Sequence, residues 1–175
     1  MKQSESKKGT ICVAELDPNF KSEVMKHEEA QGLYACFACG TCTAGCPIHE
    51  IFPEYGPRKL AKMVKLGMRQ EVLSSPYIWY CVTCHNCEQR CPQNVGFFKI
   101  LNVLKNMAAK NGYAPPSWVE QTQLIMQTGT IFPKDEELDK KRKALFLPAM
   151  KSDGAKAKRL IQFTGLDKIK SQTES

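Results

Sequence analysis

No apolar run in this chain approaches the roughly 18 residues that a membrane-crossing helix needs. The opening stretch MKQSESKKGT is polar and has no apolar segment of the kind that marks a secretory leader. These two absences predict a cytoplasmic chain with no direct membrane insertion. The phosphate-cradling patterns GxGxxG and GxxxxGKS are also missing, so no nucleotide-binding fold is indicated. No segment alternates apolar and polar residues over strand length, which argues against a β architecture. No recognised nucleic-acid-binding module accompanies the basic residues, so nucleic-acid binding is not expected.

What the chain has in excess is cysteine, nine in 175 residues. In a cytoplasmic setting, where disulfides do not persist, that number points to metal or redox chemistry. Eight of the nine fall into two runs. The first, CFACGTCTAGCP, holds Cys36, Cys39, Cys42 and Cys46 before Pro47. The second, CVTCHNCEQRCP, holds Cys81, Cys84, Cys87 and Cys91 before Pro92. Both have the spacing C-x2-C-x2-C-x3-C-P, and the second begins 45 positions after the first, so the chain carries an internal repeat. Cys12 stands outside it and is expected to be a free thiol.

This run is the one that bacterial-type ferredoxins use for [4Fe–4S] clusters. A cubane offers four iron atoms, each needing one thiolate. Cysteines three apart in a tight loop can reach three corners of one cube. The fourth leaves the loop at a proline, which has no N–H and a fixed φ, and so can end the loop or start a helix. A zinc site needs only two C-x2-C pairs and does not explain a third cysteine at the next step, twice. Two [4Fe–4S] clusters are therefore the expected cofactors, with zinc as the alternative. No other titratable groups form an evident catalytic constellation, which describes an electron carrier and not a catalyst.

Between and around the runs the pattern is helical. Pro18 sits where a first helical residue would, and Gly32 where that helix should stop. Pro57 opens a helix bearing Leu60, Met63 and Val64, Gly67 interrupts it, and a short helix follows to about Leu73. Val95, Phe98, Leu101, Leu104 and Ala108 mark a helix ending near Gly112. Ser117 and Glu120 have the spacing of a capping box. The fold class expected is all-α: a helical ferredoxin with two cluster loops among short helices and an extended basic C-terminal tail. The divisions expected are a polar arm over 1–16, a bis-cluster domain over 17–132 and a basic tail over 133–175. From Lys140 to Lys170 there are ten Lys or Arg against Asp153 and Asp167, which accounts for the whole net charge of +7. This tail reads either as a solvated segment or as an arm that docks on a partner. Phe37, Trp79 and Tyr80 flank cysteines and are expected to keep water from the clusters. His27 and His49 read as surface residues and His85 as an exposed loop residue. Arg58, Lys59 and Arg90 are candidates for offsetting cluster charge.

The order CFACGTCTAGCP, GPRKLAKMVKLG, WYCVTCHNCEQRCPQNV resembles the C subunit of heterodisulfide reductase, over residues 30 to 110 and out toward 130. The cysteine runs alone are shared with other helical ferredoxin domains, such as those of succinate dehydrogenase and glycolate oxidase. Gly40-Thr41 inside the first run, the PRK–LG linker and the stand-alone size favour the heterodisulfide reductase family. The resemblance implies a helical two-cluster ferredoxin that passes electrons between two partners. One is a flavin-containing A subunit; the other is a cysteine-rich B subunit holding the disulfide-cleaving centre. The alternative is the iron–sulfur subunit of another oxidoreductase, such as a quinone-linked membrane-associated complex. In two-cluster ferredoxins with this run the fourth cysteine ligates the other cluster. Carried onto this chain, that implies Cys36, Cys39, Cys42 and Cys91 on one cluster, and Cys81, Cys84, Cys87 and Cys46 on the other. The remaining possibility is that each run holds its own cluster.

Overall fold

The computed structural model describes residues 13–132, 135–148 and 153–171; Cys12 lies outside them. Its contacts group the chain into two compact units, Met1–Lys105 and Asn106–Ser175. The boundary at 132/133 read from composition follows charge, whereas this grouping follows contacts. Among the described residues there is no strand, only an isolated parallel bridge between Ala114 and Ser171. The protein is all-α, as its patterning predicted.

The first unit is a string of short helices. A 3-10 turn at Val13–Glu15 precedes α1 (Phe20–Met25), and a 3-10 segment at Glu28–Ala35 leads to the first cysteine run. Within and after that run come α2 (Thr41–Ala44) and α3 (Pro47–Ile51). The linker holds α4 (Pro57–Lys65), α5 (Arg69–Leu73) and a 3-10 segment at Pro76–Tyr80. The second run contains α6 (Asn86–Gln89), and α7 (Phe97–Lys110) follows. Pro47 and Pro57 each sit in a first helical turn, where the missing N–H has no partner to lose. On α4, Leu60, Ala61 and Val64 share the face turned inward and are buried with Phe20, Val24, Leu33, Val72 and Ile78.

The break after α4 is chemically specific. Gly67 adopts φ +80°, and a Cβ there would strike the Asp17 backbone. That close approach lets Asp17 N–H donate to the Gly67 carbonyl at 2.8 Å. Arg69, two residues on, pairs with Asp17 at 2.6 Å and with Glu23, and its guanidinium lies 5.0 Å from the Phe20 ring centre. Together these fix α1 to α5.

Three of the expected helix ends differ in the structure. Pro18 is not the first helical residue, since α1 begins at Phe20. Gly32 does not stop a helix. It lies within the 3-10 segment, where a side chain would collide with the Val95 carbonyl, so its smallness serves a long-range approach that no local pattern reveals. Ser117 caps nothing, because the helix already starts at Pro116.

In the second unit, α8 (Pro116–Thr128) packs on α10 (Gly154–Thr164), with α9 (Glu136–Ala144) between them in sequence. The stretch read as a tail thus carries two helices among its described residues. Asp153 caps α10 by accepting from Lys156 N–H at 3.0 Å, and Asp135 caps α9 by accepting from Glu137 N–H at 3.0 Å. A side chain at Gly154 would strike the Gln127 carbonyl, so glycine is what lets α10 approach α8 there.

Candidate metal centre

The repeat in sequence is also a repeat in backbone. Position three of each run, Ala38 and Thr83, has φ of 60° and 56°. Position five, Gly40 and His85, has φ of 93° and 61°. The helical turns α2 and α6 then begin at equivalent positions and pack against each other. The left-handed residues fold each run back on itself, so that three cysteines spaced by three share one concave side. Ala38, Thr83 and His85 adopt this conformation without glycine's freedom, an arrangement that costs free energy and is found at functional loops.

The two loops are tied directly. Asn86 Nδ2 donates to the Gly45 carbonyl at 3.2 Å, and Arg90 lies where a side chain on residue 45 would be. Thr43 Oγ1 accepts from Arg58 N–H at 2.9 Å, joining the first run to the start of α4. Lys65 Nζ donates to the Cys36 carbonyl.

Two cavities lie at this junction. The first is lined by Cys36, Cys39, Cys42 and Cys91, with Cys87, Pro57 and Phe97 also on its wall. The second is lined by Cys46, Cys81, Cys84 and Cys87, with Tyr55, Pro57 and Phe98. Each cavity therefore meets three cysteines of one run and the fourth cysteine of the other. Cys87 and Pro57 touch both. Four thiols on each wall, three from one run and the fourth from the other, are the donor set that a four-iron cluster would take, one thiolate to each iron.

Exposure differs around each ring. Cys46 is buried, Cys39 and Cys84 are exposed, and the other five are intermediate. The second cysteine of each run is thus the solvent edge of its site. Burial pushes the Cys87 thiol up to about 12, with the neighbouring Cys81 adding to the effect, and burial raises Cys42 too. Cys39 is lowered, chiefly by a bond with the Thr41 hydroxyl 3.3 Å away. The Cys91 sulfur accepts from Val95 N–H at 3.4 Å.

The other candidates divide. Phe37 is on the first cavity wall but 61% exposed, and Tyr80 is 38% exposed, so neither closes its site to water. Trp79 is half-buried, with the ammonium of buried Lys105 5.9 Å from its ring centre. Tyr55, not singled out by the sequence, is the buried aromatic on the second cavity wall. No local signal marks it, since it lies nine residues beyond Cys46 in a loop. His85 is exposed, as expected, but it also has partners: its Nδ1 is 2.7 Å from Glu88 Oε2, and its ring meets that of Phe98 at a tilt of 54°, 4.2 Å between centres. His49 is half-buried and donates from Nδ1 to the Tyr55 carbonyl at 2.6 Å. His27 is exposed. Arg58 lines the first cavity, and Lys59 instead donates to the Glu54 carbonyl.

A family described as a 4Fe-4S dicluster domain matches residues 32–95. The C subunit of the H2:CoB–CoM heterodisulfide, ferredoxin reductase of Methanothermobacter thermautotrophicus is 30% identical over 161 residues, covering 88% of this chain and 86% of the relative. The CoB–CoM heterodisulfide reductase iron–sulfur C 2 subunit of Methanocaldococcus jannaschii is 33% identical over 146 residues, 79% of this chain and 77% of its own. The C subunit of the ferredoxin:CoB–CoM heterodisulfide reductase of Methanosarcina mazei is 33% identical over 127 residues, 71% of this chain and 78% of its own.

Proposed function

The chain belongs to the family of heterodisulfide reductase C subunits, and from that premise we propose that it relays electrons through two [4Fe–4S] clusters. The relay runs between a flavin-containing partner and a cysteine-rich partner that cleaves a disulfide. The carrying observation is the pair of cavities, each lined by three thiols of one run and the fourth thiol of the other, and sharing the wall at Cys87 and Pro57. In this reading Cys36, Cys39, Cys42 and Cys91 hold one cluster, and Cys81, Cys84, Cys87 and Cys46 the other. The clusters supply one-electron storage. The chain holds them adjacent, wraps them in burial and hydrogen bonds that set their potentials, and leaves Cys39 and Cys84 as the edges at which electrons come and go.

Among the described residues no helix is long and apolar enough to cross a membrane. The reading therefore takes its partners as proteins that bind the chain in a hetero-complex. The basic stretch 140–170 serves as an arm for one of them. On α10, Leu160 and Phe163 are 67% and 90% exposed, beside Lys156 and Arg159.

The test begins with protein purified without oxygen. It should absorb near 400 nm, bleach on reduction, and recover on oxidation. Mixed with its neighbours, it should be required for electrons to pass from reduced flavin to the cysteine-rich partner. A colourless, zinc-loaded protein would end the cluster reading. A loaded protein that the two neighbours bypass would end the relay.

A further inference from the structure

Arg58, Ala61 and Lys65 are spaced by three and four residues and so lie along one face of α4. Each reaches the first cysteine run or the cavity it forms. The Arg58 N–H donates to the Thr43 hydroxyl at 2.9 Å, and its side chain passes over Gly40, where a Cβ would be 3.7 Å from Arg58 Cδ. Ala61 is buried and, with Arg58, forms part of the first cavity wall. Lys65 is half-buried, and its Nζ donates to the carbonyl of Cys36. The helix thus lays two cations along the first loop, with a residue between them small enough to permit a close approach.

Neither charge is neutralised inside the chain. The sequence of α4, PRKLAKMVK, contains no acid, and no carboxylate among the described residues pairs with Arg58 or Lys65. The second cavity has no such wall: no lysine or arginine is among the described residues that line it. The buried Lys105 lies over the Trp79 ring and off that wall. Arg90 lies against Gly45, the residue at its own position in the first run, so its charge sits at the join and is common to both loops. A fixed cation favours whichever redox state of its neighbour is more negative, and a partly buried one is screened less than one in open solvent. For a cluster held by thiolates the more negative state is the reduced one, so a cation beside it raises its reduction potential.

We propose that Arg58 and Lys65 set the potential of the cluster held by the first loop, raising it above what the loop alone would give, while the cluster of the second loop lacks this pair. The two sites are built on one repeat and are made electronically unequal by the helix that follows the first of them. The inference rests on the reading of Cys36, Cys39 and Cys42 as cluster ligands.

The experiment is a redox titration of the full-length, cluster-loaded protein followed by electron paramagnetic resonance, with Cys39→Ala marking which signal belongs to the first loop. Arg58→Gln and Lys65→Met should each move the first-loop cluster to lower potential, and the double variant should move it further. The second-loop cluster should stay where it was. Arg58→Lys, which keeps the charge, should stay near the wild type. An unmoved first-loop potential in the neutral variants that load, or equal movement of both clusters, overturns the proposal. Failure of every neutral variant to load would make these cations holders of the loop and not determinants of its potential, and that overturns it too. If Cys39→Ala instead leaves both cluster signals as they were, the ligand assignment itself fails, a result distinct from an unmoved potential.

Discussion

Ala38, Thr83 and His85 hold left-handed backbone that costs an L-residue about 1–2 kcal/mol each. Gly40, the equivalent of His85 in the first loop, is the only one of the four that lacks a Cβ. The sequence shows the two runs as equal in spacing. It does not show that the same backbone is reached with glycine once and against side-chain preference three times, because dihedral strain leaves no mark on spacing. This asymmetry can be tested. Gly40→Val places a β-branched side chain at φ 93° and should weaken the first loop by roughly the 1–2 kcal/mol of that conformation or more. Iron content should fall while the second-loop signal remains. Full loading of both sites in Gly40→Val would mean that the loop tolerates the strain or rearranges.

At the scale of elements, what was legible was whatever a local rule writes. Pro57 opening α4, Gly67 closing it, α5 beyond it and α7 after the second run all follow from propensity and period, and the structure has them. What was not legible depends on partners distant in sequence: Gly32 against Val95, Gly67 against Asp17, and Tyr55 on one cavity wall with Cys81. The Asp17–Arg69 clamp is a case with a pH signature. The Arg69 hydrogen bond holds the Asp17 carboxyl below its usual range. A folded pKa below the unfolded one, about 4, gives stability that is present above that value and lost as pH falls through the folded pKa. Asp17→Asn should therefore melt below the wild type at neutral pH, and the gap should close on acidification; a gap that is constant with pH would assign the effect to packing. The cysteine loops make the second prediction at this scale. With crossed ligation, Cys91→Ala damages the cluster of the first loop and Cys46→Ala that of the second. If Cys91→Ala perturbs only the cluster of Cys81, Cys84 and Cys87, each run is self-contained.

For the molecule as a whole, charge and chemistry are segregated along the chain. The cysteine sites lie within Met1–Lys105, and the net positive charge lies in residues 140–170. Because α10 packs on α8, cutting the arm away would bare α8, so a charge reversal tests docking more cleanly than truncation. Lys156→Glu with Arg159→Glu should leave iron content unchanged and weaken assembly with partner proteins. The deficit should shrink as salt screens both proteins. Assembly equal to wild type at low salt would return these residues to ordinary solvated surface. The position of Cys46 on the wall of the second cavity, and of Cys91 on the first, has one more consequence. If the clusters are ligated across the two runs in this way, the loops are joined twice by iron as well as once by the polypeptide between 47 and 80. That stretch becomes a spare connection. A protease nick there should yield two peptides that still migrate as one body, keep their colour, and part only when a chelator strips the metal.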